Sequence, residues 1–143
     1  MKTLKQLLEE HPRAPISVSP DDSVLSALEL MAKEDIGALL VMKNDQLVGI
    51  FSERDYARKV ILVGKASKDT LVSEIMTEKV LYGIPGHTTD QAMALMTGKR
   101  IRHMPVLDAN KRVLGMVSLG DLVTETISQQ AFLIQQLEQY ISN

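Results

Sequence analysis

Along this chain the spacing of apolar positions changes from helical to extended and back, and each change marks an element. Leu4, Leu7 and Leu8 stand on one side of a 3.6-residue period with charges between them, which predicts a short amphipathic helix over residues 1–13 and argues against a signal peptide. Ile16 to Ser19 is a short extended piece. Pro20-Asp-Asp-Ser23 then supplies capping side chains ahead of the helical stripe Val24, Ala27, Leu28 and Met31. Ala38 to Met42 and Leu47 to Phe51 are apolar runs of strand length on either side of Asn44-Asp45, the pattern of a hairpin, and Ser52 to Leu62 returns to a helix. Residues 64–70 are polar and loop-like, and Leu71 to Met76 fits one helical turn leading on into the next segment.

The same order then recurs. An offset of 65 pairs Pro20 with Pro85, Ser23 with Thr88, Ala27 with Ala92, Met31 with Met96, Ile36 with Ile101 and Val41 with Val106. One extra residue in the second turn moves the offset to 66, after which Gly49 meets Gly115, Ser52 meets Ser118 and Asp55 meets Asp121. The second unit therefore predicts a helix near Thr89 to Thr97, a hairpin from His103 to Val117 around Asp108-Ala-Asn110, and a last helix from about Gly120. Each unit reads β-α-β-β-α. Neither has enough strands to close a core alone, so the two hairpin sheets are expected to pack together as one pseudo-twofold α/β domain. From Leu122 onward Val123, Ile127, Ala131, Ile134, Leu137 and Ile141 continue at spacings of three and four, which predicts one long helix whose stripe either folds back on its own domain or meets a second chain.

Composition narrows the classes. With 45% hydrophobic and 24% charged residues the chain can bury a core, and with 3% aromatics that core is aliphatic. No apolar run approaches the ~20 residues that cross a bilayer, which predicts a soluble protein without a membrane partner. A net charge of −2 gives no general attraction to nucleic acid. The absence of cysteine removes disulfides and thiolate metal sites and points to the cytoplasm.

The hairpin followed by Gly-Ile-Phe-Ser-Glu-Arg-Asp55, and Arg-His-Met-Pro-Val106 followed by Gly-Met-Val-Ser-Leu-Gly-Asp121, resemble the tandem CBS domain, or Bateman module, named for cystathionine β-synthase. The resemblance covers about residues 14–127 and occurs twice in register. It implies two CBS repeats, 14–70 with its linker and 71–127, flanked by the N-terminal helix and a C-terminal helical extension over 128–143. It also implies a stand-alone regulatory sensor that is not an enzyme. Its ligand would be an adenine nucleotide, AMP first, with NAD, ADP or ATP as alternatives. Its signal would pass to an unidentified effector protein, and a homodimer is expected. The alternative is a dimerisation or adaptor module whose clefts stay empty.

In that family a Ser or Thr ending the third strand and an Asp three residues later bind adenosine nucleotides. A carboxylate suits two vicinal ribose hydroxyls, and a hydroxyl beside free helix N–H groups suits a phosphate. Carried over, Asp55's cleft takes an adenine beside Leu81 and Ile50, with Ser52, Arg54 and Arg102 near the phosphate. The cleft of Asp121 draws on Ile16, Met116, Ser118 and His103. Gly120 stands where the first copy has Arg54, so Asp55's cleft is expected to hold phosphate more tightly.

Other readings of the same residues remain. Ser52-Glu-Arg-Asp55 is also a plain helix N-terminus with a capping serine. Lys99 and Arg100 fit a solvated helix end, whereas Arg102 and His103 enter a strand and are assigned to ligand. His11, His87 and His103 lack metal-ligand spacing, so no metal is expected. A Ser118, His103, Asp121 triad lacks the nucleophile elbow, and Gly64-Lys-Ala-Ser67 lacks the spacing of a phosphate loop.

Overall fold

In the computed structural model, which describes residues 1–142, α1 (Leu4–Glu10) precedes a first repeat of β1 (Ser17–Val18), α2 (Val24–Glu34), β2 (Ala38–Lys43), β3 (Gln46–Ser52) and α3 (Glu53–Tyr56). The last of these widens into a π turn over Ala57–Ile61. A 3-10 turn at Ser67–Asp69 and α4 (Val72–Ile75) connect to the second repeat, α5 (Thr89–Gly98), β4 (His103–Leu107), β5 (Val113–Ser118) and α6 (Leu119–Ser142). Asn143, the last residue of the predicted C-terminal helix, lies outside the described residues.

Local chemistry accounts for the element ends. Thr3 with Gln6, and Thr88 with Gln91, form reciprocal capping boxes at α1 and α5, and the Ser23 hydroxyl accepts the Ser26 N–H at α2. Asn44 and Asp45 both have positive φ, 52° and 62°, the conformation that a two-residue hairpin turn demands and that Asn and Asp tolerate. The second turn is longer and is closed differently: the Asp108 carboxylate accepts the N–H groups of Asn110 and Arg112. Both hairpins have a register shift at the same place, between Val41 and Met42 and between Val106 and Leu107.

β1 pairs in parallel with β2, Val18 opposite Val41. Its counterpart in the second repeat shrinks to a single parallel bridge between Gly83 and Val106, the pair 65 residues further on. Gly83 leaves room there for two core side chains: a Cβ would stand 2.8 Å from both Leu4 Cδ1 and Met104 Cε, which would have to shift.

Leu4's presence beside Gly83 reflects an exchange of helices between the repeats. α1 precedes the first repeat but packs on the second: Leu4 N–H donates to His87 O at 2.8 Å and Thr89 N–H to Lys2 O at 3.0 Å. α4 leads toward the second repeat in sequence but packs on the first, with Val72 N–H on Asp22 O at 2.9 Å and Val24 N–H on Thr70 O at 2.8 Å. The buried residues accordingly form two clusters rather than the single shared core that the strand count suggested. One gathers Val24, Ala27, Leu39, Val41 and Phe51 with Val72 and Ile75 of α4. The other gathers Ala92, Met96, Met104, Val106 and Val117 with Leu4 and Leu7 of α1. The fold is the expected α/β pair of repeats, but each core is completed by a helix from across the sequence.

Candidate functional site: two clefts between the repeats

Two cavities lie where the repeats meet. The larger, about 870 Å³, takes Ile50, Ser52, Arg54 and Asp55 from the first repeat and Leu81 and Arg102 from the second, so the structure brings together all six residues assigned to the Asp55 cleft. The smaller, about 330 Å³, is lined by Ile16 and Ile36 of the first repeat and by Met116, Val117 and Asp121 of the second. Ile16 and Leu81 occupy matching positions just before the parallel pairings of Val18 and Gly83, and this is why the opposite repeat supplies one wall of each cavity.

Asp55 is held firmly. Its Oδ2 accepts the Ser52 N–H and hydroxyl, both at 3.0 Å, while the Ser52 Oγ accepts the Asp55 N–H at 3.2 Å. This is a reciprocal capping box at the start of α3, so the plain helix-cap reading of Ser52 and Asp55 is realised in the structure. Its Oδ1 accepts the Thr77 hydroxyl at 3.1 Å and lies 3.2 Å from the Lys59 ammonium, one turn further along. The carboxylate's roughly four acceptor directions are thus all engaged. Thr77 is positioned by a backbone pair with Ile50 that lengthens the sheet by one residue. Gly49 makes that approach feasible, because a Cβ there would lie 3.0 Å from the Thr77 carbonyl.

Asp121 is held lightly. Its Oδ2 accepts the Ser118 N–H at 3.1 Å, the Ser118 Oγ accepts the Asp121 N–H at 3.0 Å, and the residue is exposed. Ser118 acts here as the cap of α6, and the wall of the second cavity is formed by Ile16, Met116 and Asp121.

One expectation needs correction. His103, assigned by resemblance to the Asp121 cleft, lines the Asp55 cavity instead. Its ring occupies the space left by Gly37, where a Cβ would stand 3.3 Å from His103 Cε1. Lys99 is the exposed C-cap of α5, the expected solvated helix end, and it also lines this cavity. Arg100 has positive φ, 55°, and turns its carbonyl toward the Arg54 guanidinium, which donates to it at 2.9 Å.

Sequence reasoning missed Thr77, Lys59 and Lys79 around the first cavity and Arg13 and Glu125 in the second. Lys59 was legible as an i,i+4 partner of Asp55. Thr77 carried no local signal, because only its pairing with β3 brings it to the carboxylate.

Burial pushes the His103 imidazole below its ordinary pKa of 6.5; Asp121 and Glu53 oppose that shift and Arg102 reinforces it. With the folded value below the unfolded one, the unfolded chain binds the extra proton first as pH falls, so stability is full above about pH 6.5 and declines below it. Urea unfolding of wild type and His103→Gln between about pH 5 and 8 is expected to show a flatter acid limb in the variant. Identical profiles would refute this role for His103.

Two repeats of helix, hairpin and helix, each with an extended segment paired in parallel to its hairpin (a strand in the first, a single bridge in the second), with a cleft on each side of their junction and a hydroxyl–carboxylate pair opening the helix after each hairpin, define a tandem CBS module. The chain belongs to the CBS domain family, whose model matches residues 8–62 and 72–127. It is 43% identical over 126 residues to the mitochondrial CBS domain-containing protein CBSX3 of Arabidopsis thaliana, an alignment covering 85% of this chain and 61% of that protein. A CBS-domain protein of Burkholderia ambifaria MC40-6, described as a putative signal-transduction protein, superposes with a TM-score of 0.85 at 48% identity, covering 90% of this chain and 96% of that one. The CBS domain pair of protein MJ0100, solved in complex with 5′-methylthioadenosine and S-adenosyl-L-methionine, superposes with a TM-score of 0.78 at 25% identity over 90% of this chain and 98% of that one. No described helix is long and apolar enough to cross a membrane.

Proposed function

We propose that this chain is a regulatory module that binds an adenine nucleotide in the Asp55 cleft and passes the occupancy to a partner protein. The observation carrying the proposal is the setting of Asp55: a buried carboxylate held at the mouth of a helix, facing an apolar wall of Ile50 and Leu81 on one side and Arg54 and Arg102 on the other. A ribose diol would take over the acceptor positions that Thr77 and Lys59 occupy, the apolar wall would receive a base, and the guanidinium groups would receive a phosphate. The complex of the MJ0100 pair supports an adenosine-type ligand, and the basic residues favour a phosphate-bearing one. Because such a ligand touches both repeats, it can favour one mutual arrangement of them over another, which is the requirement for a switch. The module is read as a sensor and not as an enzyme, because its cleft residues are assigned to holding a ligand and none to attacking it.

A second copy of the chain is the proposed partner of α6. Ile127, Leu133, Ile134, Leu137 and Ile141 all stand more than half exposed along it, a stripe that its own domain leaves uncovered.

The test is the melting temperature of the purified, ligand-free protein with AMP, ADP, ATP, NAD, GTP and S-adenosylmethionine, with the mass read by sedimentation equilibrium on the same preparation. A ligand at 100 times its Kd adds about 2.7 kcal/mol, expected to raise the melting temperature by about 5–10 °C. An increase selective for adenine nucleotides, in a dimer, supports the sensor. No increase with any of them returns the protein to the adaptor reading, and a monomeric mass removes the second copy.

A further inference from the structure

Superposing the repeats by their own register puts Gly120 where Arg54 stands and Glu125 where Lys59 stands, so the cleft residues that match by position do not match by charge. Around the Asp55 cavity Arg54, Lys79, Lys99 and Arg102 face Glu53 and Asp55. None of these four cations has a carboxylate within ion-pair distance among the described residues. Asp55 itself is matched by Lys59 at 3.2 Å. Around the other cavity the balance reverses. Asp121 is followed one turn later by Glu125, and both line the space, with Arg13 as its one Lys or Arg and His11 beside it. Lys2 does approach Glu125, at 2.7 Å, but it also holds Glu10 at 2.6 Å and is not part of the cavity wall. The rest of the wall, including Leu7, Leu8, Ile16, Ile36 and Met116, is apolar.

We propose that the two clefts are sorted by charge: the Asp121 cavity accepts an uncharged or cationic nucleoside and excludes phosphate, whereas phosphate-bearing ligands go to the Asp55 cavity. This rests on the adenosine-binding reading given above and extends it to the second cleft. Asp121 has the acceptor capacity that a ribose diol needs, because the Ser118 N–H is its one hydrogen-bond donor among the described residues, on Oδ2. Beyond the ribose, a phosphate would meet no counterpart of Arg54, and Glu125, standing where Lys59 stands, puts a second carboxylate beside Asp121, an arrangement that discriminates by repulsion. An apolar pocket of about 330 Å³ with two carboxylates at one side suits a ligand whose far end is neutral or positive.

Calorimetric titration of the full chain with AMP and with adenosine tests this. AMP is expected to saturate at one site per chain, and adenosine to fill a further site in protein already saturated with AMP. Asp55→Asn is expected to lose AMP binding and keep adenosine, with a preference for adenosine of at least about tenfold at the remaining cleft. Gly120→Arg introduces the missing cation at a position where a Cβ has room, its nearest neighbour being Ser118 Oγ at 3.7 Å, and is expected to let AMP fill two sites. AMP filling both clefts of the wild type, adenosine fully excluded by saturating AMP, or AMP remaining at one site in a folded Gly120→Arg protein each overturns the charge sorting and leaves the adenosine-binding reading standing. Failure of both AMP and adenosine to bind wild type removes that reading, and the sorting with it.

Discussion

Asp55→Ala is expected to weaken adenine-nucleotide binding by about 10²–10⁴-fold. The ribose diol would give up two hydrogen bonds to an ionised acceptor, each worth about 1.5–3 kcal/mol, and each 1.4 kcal/mol is tenfold in Kd. The substitution also removes the capping box of α3 and leaves Lys59 without its carboxylate, so the free protein is expected to lose about 1–2 kcal/mol of stability. Kd must therefore be read by titration at a temperature where both proteins are folded, and melting curves alone would mix the two effects. Asp121→Ala is the companion variant, expected to leave the AMP Kd within about threefold, since its cleft shares no lining residue with the first. Equal AMP affinity in wild type and Asp55→Ala would remove Asp55 from the binding machinery.

Leu4→Ala is expected to destabilise the whole domain by about 3 kcal/mol, within the ~2–5 kcal/mol range for truncating a buried leucine, and to lower the melting temperature by about 10 °C. Leu4 has 0% exposure and fits against the bare backbone of Gly83, so its loss leaves a void in the second repeat's core. The neighbouring Lys5 is exposed, and Lys5→Ala should stay within about 0.5 kcal/mol of wild type. A change under about 1 kcal/mol in Leu4→Ala, read by urea unfolding, would show that α1 does not complete that core.

What the sequence revealed was local or periodic. Asn44-Asp45 between two apolar runs specifies a tight hairpin by itself, and Ser23 and Thr88 announce their helices by side-chain type. The repeat was legible because the same packing problem is solved twice with the same residue classes, Met31 and Met96, Gly49 and Gly115. The exchange of α1 and α4 was not legible. Leu4 and Val72 are apolar residues on short helices, and nothing in their own segments says which of two similar cores each will enter. The cleft of His103 was misplaced for a related reason: it depends on space opened by Gly37, 66 residues earlier and across the junction. Lys99 was legible as the solvent-facing helix end that it is, but its place on the cavity wall depends on how the two repeats pack and left no local signal. The Ser52 and Asp55 motif was legible as a motif, but its saturation by Thr77 and Lys59 required the tertiary pairing of Thr77 with Ile50.

The exchange of helices also sets an order in time. Residues 2–5 leave the ribosome well before their backbone partners at residues 85–89 exist, so α1, only seven residues long, has no surface to dock on while the first repeat is being made. An isolated helix that short is not stable in water. The first repeat can close its own core once α4 has emerged, whereas the second must wait for a segment synthesised far ahead of it to return. The loop it closes spans more than eighty residues, against about fifty for the docking of α4 on the first repeat, so the two differ chiefly in order and only by about 0.5 kcal/mol in closure entropy. The two halves of this near-symmetric molecule thus have unequal histories, and the earliest part of α1 to be made is among the last to find its place.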